Sequence, residues 1–177
     1  MHAAIGEPYA SCRHSQGGGA RGIAMPTRAN WMLRFVAGSD ADPDRVDVIL
    51  LMKGMFLFQH EYGAPEVDYQ FRPSDHGPVA EEVYRDLKTL QKVGFVSTSR
   101  VPGLSYRIAE AGRRQLATGS FDPRFEAGLL ALRTELSRMS FSALLRRVHA
   151  SYPEFAEQED RLFRELQERH LARHNRV

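Results

Sequence analysis

The sequence has little of several features that would assign a function directly. It holds one cysteine, Cys12, among 177 residues, which excludes an internal disulfide and a zinc site built from several cysteines. Its best apolar stretch, residues 46–58, is interrupted by Asp47, Lys53 and Gly54 and falls short of the ~18 uninterrupted apolar residues that a membrane helix needs. The first residues lack a basic start followed by an apolar block, so secretion is not indicated. We therefore expect a soluble, cytoplasmic protein with no membrane partner.

An excess of charge of one sign and the common catalytic motifs are missing as well. The 24 basic and 22 acidic residues give a formal net charge of +2, which is too small by itself to predict nucleic-acid binding. The glycine run at residues 17–19 neither follows a strand pattern nor precedes a helix pattern, so it does not indicate a phosphate loop. No set of nucleophile, base and oxyanion donors can be assembled from spacing. We predict that the protein is not an enzyme and that it has no catalytic, cofactor or metal site.

Two histidine patterns have an alternative chemical interpretation. His76 beside Asp75 could form an acid–base pair, but neighbours in a Gly-Pro turn usually serve capping and turn geometry. His170 and His174 lie four residues apart, a spacing that can bind a metal on a helix. A solvated terminal helix is the better interpretation of that pair.

Hydrophobic periodicity in the N-terminal half predicts a leader and two helices. Residues 1–25 combine small residues with little periodicity, which is typical of a disordered leader. A short amphipathic helix is predicted from Pro26 to near Gly38. A second helix, capped by Asp44, is predicted to run to about His60 with a broad buried stripe that includes Ile49.

The middle of the chain predicts a strand, a helix and a hairpin. Alternation of Val67, Tyr69 and Phe71 with polar residues indicates a short, half-buried strand. A third helix is predicted over residues 78–93, with Pro78 in its first turn. Two strands at residues 95–99 and 104–108 form a predicted hairpin, and a short helix follows at 110–117. Further helices are predicted over residues 125–139, 141–150 and 157–174.

Several of these segments together are similar to a known group of families. Residues 67–87 run through a Tyr-x-Phe strand at Tyr69 and a His-Gly-Pro turn at His76 into a helix. The pattern resembles YwgA-like proteins and the SocA-like, Panacea-domain antitoxins. Further similar segments are residues 51–57, 108–112 and 148–156. The resemblance implies a winged-helix architecture in prokaryotic regulatory, toxin–antitoxin or defence settings.

We therefore predict an α+β fold, mainly α: a winged helix-turn-helix with a small β-hairpin wing and additional C-terminal helices. The predicted division is a leader at residues 1–25, a winged-helix domain at 26–118 and a helical extension at 119–177 that serves packing or oligomerisation. A winged helix places its third helix in the major groove and its hairpin against phosphates. The predicted DNA contacts are Arg72, His76, Arg85, Lys88, Thr89, Lys92, Arg100 and Arg107.

Charge on the third helix leaves two functions open. Glu81, Glu82 and Asp86 lie among its basic residues, so the same residues also fit an ordinary solvated surface. The first hypothesis is a homodimeric DNA-binding protein, either a transcriptional regulator or a component of a toxin–antitoxin or defence locus. The alternative is a non-catalytic protein–protein interaction module on the same scaffold, an antitoxin or adaptor that binds a toxin or effector.

Overall fold

The structure of the protein, a computed structural model, describes residues 27–40, 42–74, 76–100 and 104–155. Within these ranges the chain forms six α-helices and three short β-strands. In chain order they are α1 (Thr27–Ala37), β1 (Val46–Asp47), α2 (Val48–Leu57), α3 (Glu81–Lys92), β2 (Val96–Ser99), β3 (Ser105–Ile108), α4 (Glu110–Thr118), α5 (Pro123–Ser137) and α6 (Phe141–Ser151). The predicted leader and the helix predicted over residues 157–174 lie outside the described residues.

The strands form one antiparallel sheet in the order β1, β3, β2. Val46 lies opposite Tyr106, and Val96 lies opposite Ile108. These four side chains are buried, so they define the inner face of the sheet. The predicted hairpin is confirmed as β2 and β3, and the predicted α+β, mainly helical class is confirmed with it. The two-residue strand β1 was not predicted, because two residues are too few to show a period.

The core is built mainly by the apolar faces of α1 and α2. Every residue of α2 from Leu51 onward is buried, and Phe35 of α1 packs over Gly54 of α2. Leu132 of α5 and Val148 of α6 belong to the same buried cluster. The helical extension thus packs on the core that the earlier helices build, and the division of the chain near residue 118 stays a prediction. No helix in the described ranges is long and apolar enough to cross a membrane.

The beginning of α2 differs from the prediction. The side chain of Asp47, not Asp44, caps the helix by accepting a hydrogen bond from Leu50 N at 2.8 Å. Asp44 instead lies near Arg107, with 3.3 Å between Asp44 Oδ2 and Arg107 Nη1. Ile49, predicted to be buried, is 41% exposed, because it lies in the first turn of α2 before the helix enters the core.

The predicted first turn of the third helix is also wrong. Val79 forms an isolated bridge with Arg72, with Arg72 N to Val79 O at 2.8 Å and Val79 N to Arg72 O at 2.9 Å. This pairing keeps residues 78–80 extended, and α3 begins only at Glu81. Pro78 is buried before the helix, and its carbonyl accepts a hydrogen bond from Lys53 Nζ at 2.8 Å.

The strand predicted around Tyr69 is not part of the sheet. Val67 and Tyr69 are buried while Asp68 and Gln70 are exposed, so the burial alternates as predicted. The side-chain amide of Gln59 takes the place of a neighbouring strand: Tyr69 N donates to Gln59 Oε1 at 2.9 Å, and Gln59 Nε2 donates to Tyr69 O at 3.1 Å. A single amide satisfies one residue and cannot extend a ladder, so residues 67–70 form no strand.

Candidate nucleic-acid interface

Helix α3 presents one apolar and one polar face. Val83, Leu87 and Leu90 are buried against the core, as their spacing predicts. The opposite face carries exposed side chains: Glu81, Tyr84, Arg85, Lys88, Thr89 and Lys92. The chain leaves the helix through Gly94, whose φ of 75° is the left-handed conformation that glycine adopts without strain. This turn leads directly into β2 and so places the hairpin next to the end of α3.

Each of the three carboxylates of α3 has an arginine partner, and one of them is buried. Asp86 is only 7% exposed and accepts hydrogen bonds from Arg28 Nε at 2.8 Å and from the Tyr69 hydroxyl at 3.2 Å. Glu81 pairs with Arg72 at 2.7 Å and Glu82 pairs with Arg85 at 3.3 Å. The sequence could not show this, because the buried position of Asp86 depends on partners far away in the chain.

Asp86 also fixes the protonation of its tyrosine partner. Burial first, and then the negative charge of Asp86, raises the pKa of Tyr69 well above its usual range. The phenol is therefore a neutral donor at physiological pH. Arg28 lies over the same ring, 5.2 Å from its centroid, so the group joins α1, α3 and the extended segment at residue 69.

The second half of α3 carries two lysines that face solvent. Lys88 and Lys92 are both exposed and lie one helical turn apart. Within the described part of the chain neither ammonium group forms a salt bridge. Thr89 is exposed between them, but its hydroxyl donates to the carbonyl of Arg85 at 2.9 Å. The structure thus brings Arg85, Lys88, Thr89 and Lys92 together on one surface.

The hairpin contributes two of the predicted contacts. Arg107 of β3 lies on the outer face of the sheet, and Arg100 follows β2 at the hairpin tip; both are exposed. On the inner face, burial first and the neighbouring Tyr84 second raise the pKa of Tyr106. Helix α3 contacts β2, so the hairpin lies beside this helix.

Arg72 and His76 lie at the other end of the helix. Arg72 is paired with Glu81 in the first turn of α3. His76 is exposed, its backbone N–H donates to Ser74 Oγ at 3.3 Å, and Ser74 Oγ donates to Gly77 O at 2.6 Å. These contacts are those of a turn; Asp75, the other half of the possible acid–base pair, lies outside the described residues. Arg72 and His76 are therefore separated from Lys92 by the length of α3.

Comparison with known proteins identifies no family. No family model and no curated protein matches the chain. The resemblance to YwgA-like and Panacea-domain proteins stays a prediction. The structure does join two of the segments on which it depends, because Lys53 in residues 51–57 donates to the carbonyl of Pro78 in the His-Gly-Pro turn.

A polar cavity on the outer face of the sheet was not predicted. Its volume is about 230 Å³, and it is lined by Arg45, Ser97, Thr98, Ser99, Ser105 and Arg107. Of these residues the sequence singled out only Arg107. A pattern of polar residues two apart in both hairpin strands could have indicated the hydroxyls, but Arg45 precedes a strand too short to recognise.

Arg133 of α5 holds the loop that carries Arg45. It is completely buried, and its Nη2 donates to the carbonyl oxygens of Pro43 at 3.2 Å and Arg45 at 3.3 Å. Its Nη1 donates to Ser137 Oγ at 2.6 Å. Burial lowers the pKa of Arg133, and the nearby Asp42 opposes that effect. The guanidinium therefore positions the backbone before β1 and is not itself part of an exposed site.

The described residues contain no cluster of three or more histidine, cysteine or acidic side chains that could hold a metal. The predicted pair His170 and His174 lies outside them.

Proposed function

We propose that this protein is a winged helix-turn-helix DNA-binding protein, acting as a transcriptional regulator or within a toxin–antitoxin or defence locus. The order of elements supports the architecture: helix α1, strand β1, helices α2 and α3, then the hairpin, with β3 between β1 and β2. Residues 63–80 replace the short turn that usually joins the two helices of a helix-turn-helix. The proposal includes a cytoplasmic homodimer without catalytic activity.

The positions and partners of the three carboxylates of α3 are the observation that carries the proposal. A helix that reads DNA must present donors to phosphates and base edges. With Asp86 buried and Glu81 and Glu82 paired to arginines, the last two turns present Lys88 and Lys92 without a competing carboxylate among the described residues. Exposed ion pairs are weak, so Arg72 and Arg85 can exchange their glutamates for phosphates.

In this mode α3 enters the major groove and the hairpin lies along the backbone. Each phosphate that a lysine or arginine neutralises releases condensed counterions, so affinity falls steeply with salt. Tyr84, 49% exposed on the same face, would contact the sugar or base surface. A homodimer would present two such helices to half-sites about one helical turn apart.

The test measures binding of the purified full chain to its own upstream DNA and to an unrelated duplex across a salt series. We expect Lys88→Glu with Lys92→Glu to abolish binding, because two charges are reversed on the groove-facing surface and its net charge falls by four units. The matched control is Arg124→Glu with Arg138→Glu, which makes the same change in charge on exposed positions of α5. Equal affinity of the two double variants would contradict the assignment of α3.

Absence of binding at low salt by the wild-type protein would contradict the whole proposal. It would favour the second function that the sequence predicts, a protein–protein interaction module. The best surface for that function is a groove lined by exposed apolar residues, Ile49 of α2 and Phe141 of α6, 41% and 48% exposed.

A further inference from the structure

The outer face of the sheet has a composition that differs from the rest of the surface. Ser105 and Arg107 alternate outward along β3, and Ser97 and Ser99 do so along β2. Arg45 joins them from the loop before β1, and all five line the cavity of about 230 Å³. Asp47 lies on the same face, opposite Ser105, so the face is polar throughout, and two guanidinium groups and several hydroxyls meet at its cavity.

Two positive charges converge on this cavity. Asp47 lies opposite Ser105 and Val46 opposite Tyr106, so the same register places Arg45 across from Arg107. Like charges directly opposite one another destabilise a sheet. An anion in the cavity would attract both guanidinium groups and could accept hydrogen bonds from each.

The nearby carboxylates offset this charge only in part. Asp44 Oδ2 lies 3.3 Å from Arg107, and its other oxygen lies 4.0 Å from Arg113, so one exposed carboxylate is shared by two guanidinium groups. Asp47 is engaged in capping α2. Arg107 and Arg113 thus share Asp44, while the Asp47 carboxylate accepts from the first turn of α2.

One hydroxyl group at the cavity, that of Ser105, is buried without a hydrogen-bond partner among the described residues. Buried polar atoms in folded proteins almost always have a partner, and a serine hydroxyl can donate to an oxyanion. The hydroxyl of Ser97 donates to Arg107 O only at 3.4 Å, so it can turn to a ligand at small cost.

We propose that Arg45, Arg107 and Ser105 form a binding site for a phosphate group. Guanidinium forks match the geometry of tetrahedral oxyanions and bind them through paired, charge-assisted hydrogen bonds. The site shares Arg107 with the DNA contacts of the proposed function but includes neither Lys88 nor Lys92, so binding of inorganic phosphate can be tested apart from DNA binding. The phosphate is either that of a small phosphorylated compound or that of a nucleic-acid backbone, because both present the same chemistry.

The experiment follows the backbone amides of residues 97–99 and 105–107, and the arginine Nε–H groups, by NMR on the full chain. Inorganic phosphate is titrated against chloride at constant ionic strength, and duplex DNA is titrated separately. We expect saturable shifts that Arg45→Gln and Arg107→Gln each weaken about tenfold or more. Arg138→Gln, on the exposed end of α5, is the control and should leave the affinity unchanged.

Asp44→Asn gives a change in the opposite direction. It releases Arg107 from its carboxylate, so the affinity for inorganic phosphate should rise at least about twofold. Unchanged or weaker binding in this variant would overturn the proposed geometry. The same holds if Arg138→Gln weakens binding as much as Arg45→Gln does.

The two sources of phosphate are distinguished by the lysine variant of α3. Saturable shifts with inorganic phosphate but none with duplex DNA, in the wild type and in Lys88→Glu with Lys92→Glu, support a site for a free phosphorylated compound. Shifts that only duplex DNA produces, and that Arg45→Gln removes, support a backbone phosphate in the same site. Absence of saturable shifts with either ligand overturns the proposal.

Discussion

Among single residues, Asp86 shows how burial decides what a charge does. It occupies a helix whose other carboxylates, Glu81 and Glu82, stay near solvent, and all three pair with arginines at 2.7 to 3.3 Å. Pairs at an exposed surface contribute little, since water competes and screens. A carboxylate that is 7% exposed cannot exchange its partners for water. Its hydrogen bonds therefore contribute more to stability than those of an exposed pair.

We expect Asp86→Ala to lower the free energy of unfolding by about 2 kcal/mol. The Tyr69 hydroxyl loses its acceptor in a buried site, while Arg28, whose side chain is 32% exposed, can recover part of its loss by hydration. Chemical denaturation followed by circular dichroism measures the change. Glu81→Ala is the control on the same helix with an ion pair of similar length, and it should cost well under 1 kcal/mol. Similar costs for the two variants would show that burial does not control the contribution.

At the scale of the element, the sequence predicts those features that repeat over several residues. The apolar face of α3 and the two strands of the hairpin were found because Val83, Leu87 and Leu90, or the alternation in β3, carry a period. The start of α3 and the lone segment at Tyr69 were not found, because a bridge at Val79 and the amide of Gln59 decide them. Contacts between residues distant in the chain produce no periodic pattern in the sequence. For the same reason the sequence could not predict that Arg45 lines the cavity or that Asp86 is buried.

The contact between α1 and α2 allows a test of how rigidly the two helices pack. A Cβ atom on Gly54 would overlap the ring of Phe35, which is completely buried and cannot move away. Alanine favours a helix over glycine by about 1 kcal/mol, but overpacking of a rigid core costs about 1–3 kcal/mol. We therefore expect Gly54→Ala to destabilise the protein in thermal unfolding.

Gly128→Ala on α5 is the matched control for this substitution. A Cβ atom there would overlap the ring of Tyr62, but Tyr62 is 38% exposed and can swing toward solvent. The helix preference of alanine should then dominate, and we expect an unchanged or higher melting temperature. A loss at Gly128 as large as that at Gly54 would contradict the role assigned to the rigidity of Phe35.

For the whole molecule, Arg133 connects the C-terminal helices to the sheet. Its guanidinium lies 5.6 Å from the centroid of Phe35 in α1 and bonds to the backbone at residues 43 and 45. A core of leucines would hold α5 in place as well, but it would not fix the carbonyl groups of the loop before β1. The buried charge therefore sets the position of Arg45 relative to Arg107 from a helix far along the chain.

We expect Arg133→Met to lower the free energy of unfolding by about 3 kcal/mol, because it leaves the carbonyl oxygens of Pro43 and Arg45 without their buried donor. For a chain of this size that corresponds to a fall in melting temperature of about 10 °C. It should also weaken binding of inorganic phosphate, measured well below the melting temperature, because the loop that carries Arg45 loosens. Gly54→Ala supplies the comparison, since it destabilises the core without contacting that loop and should leave phosphate affinity intact. If both variants bind phosphate equally well, Arg133 stabilises the core but does not position the site, and Arg45 is held by its own strand.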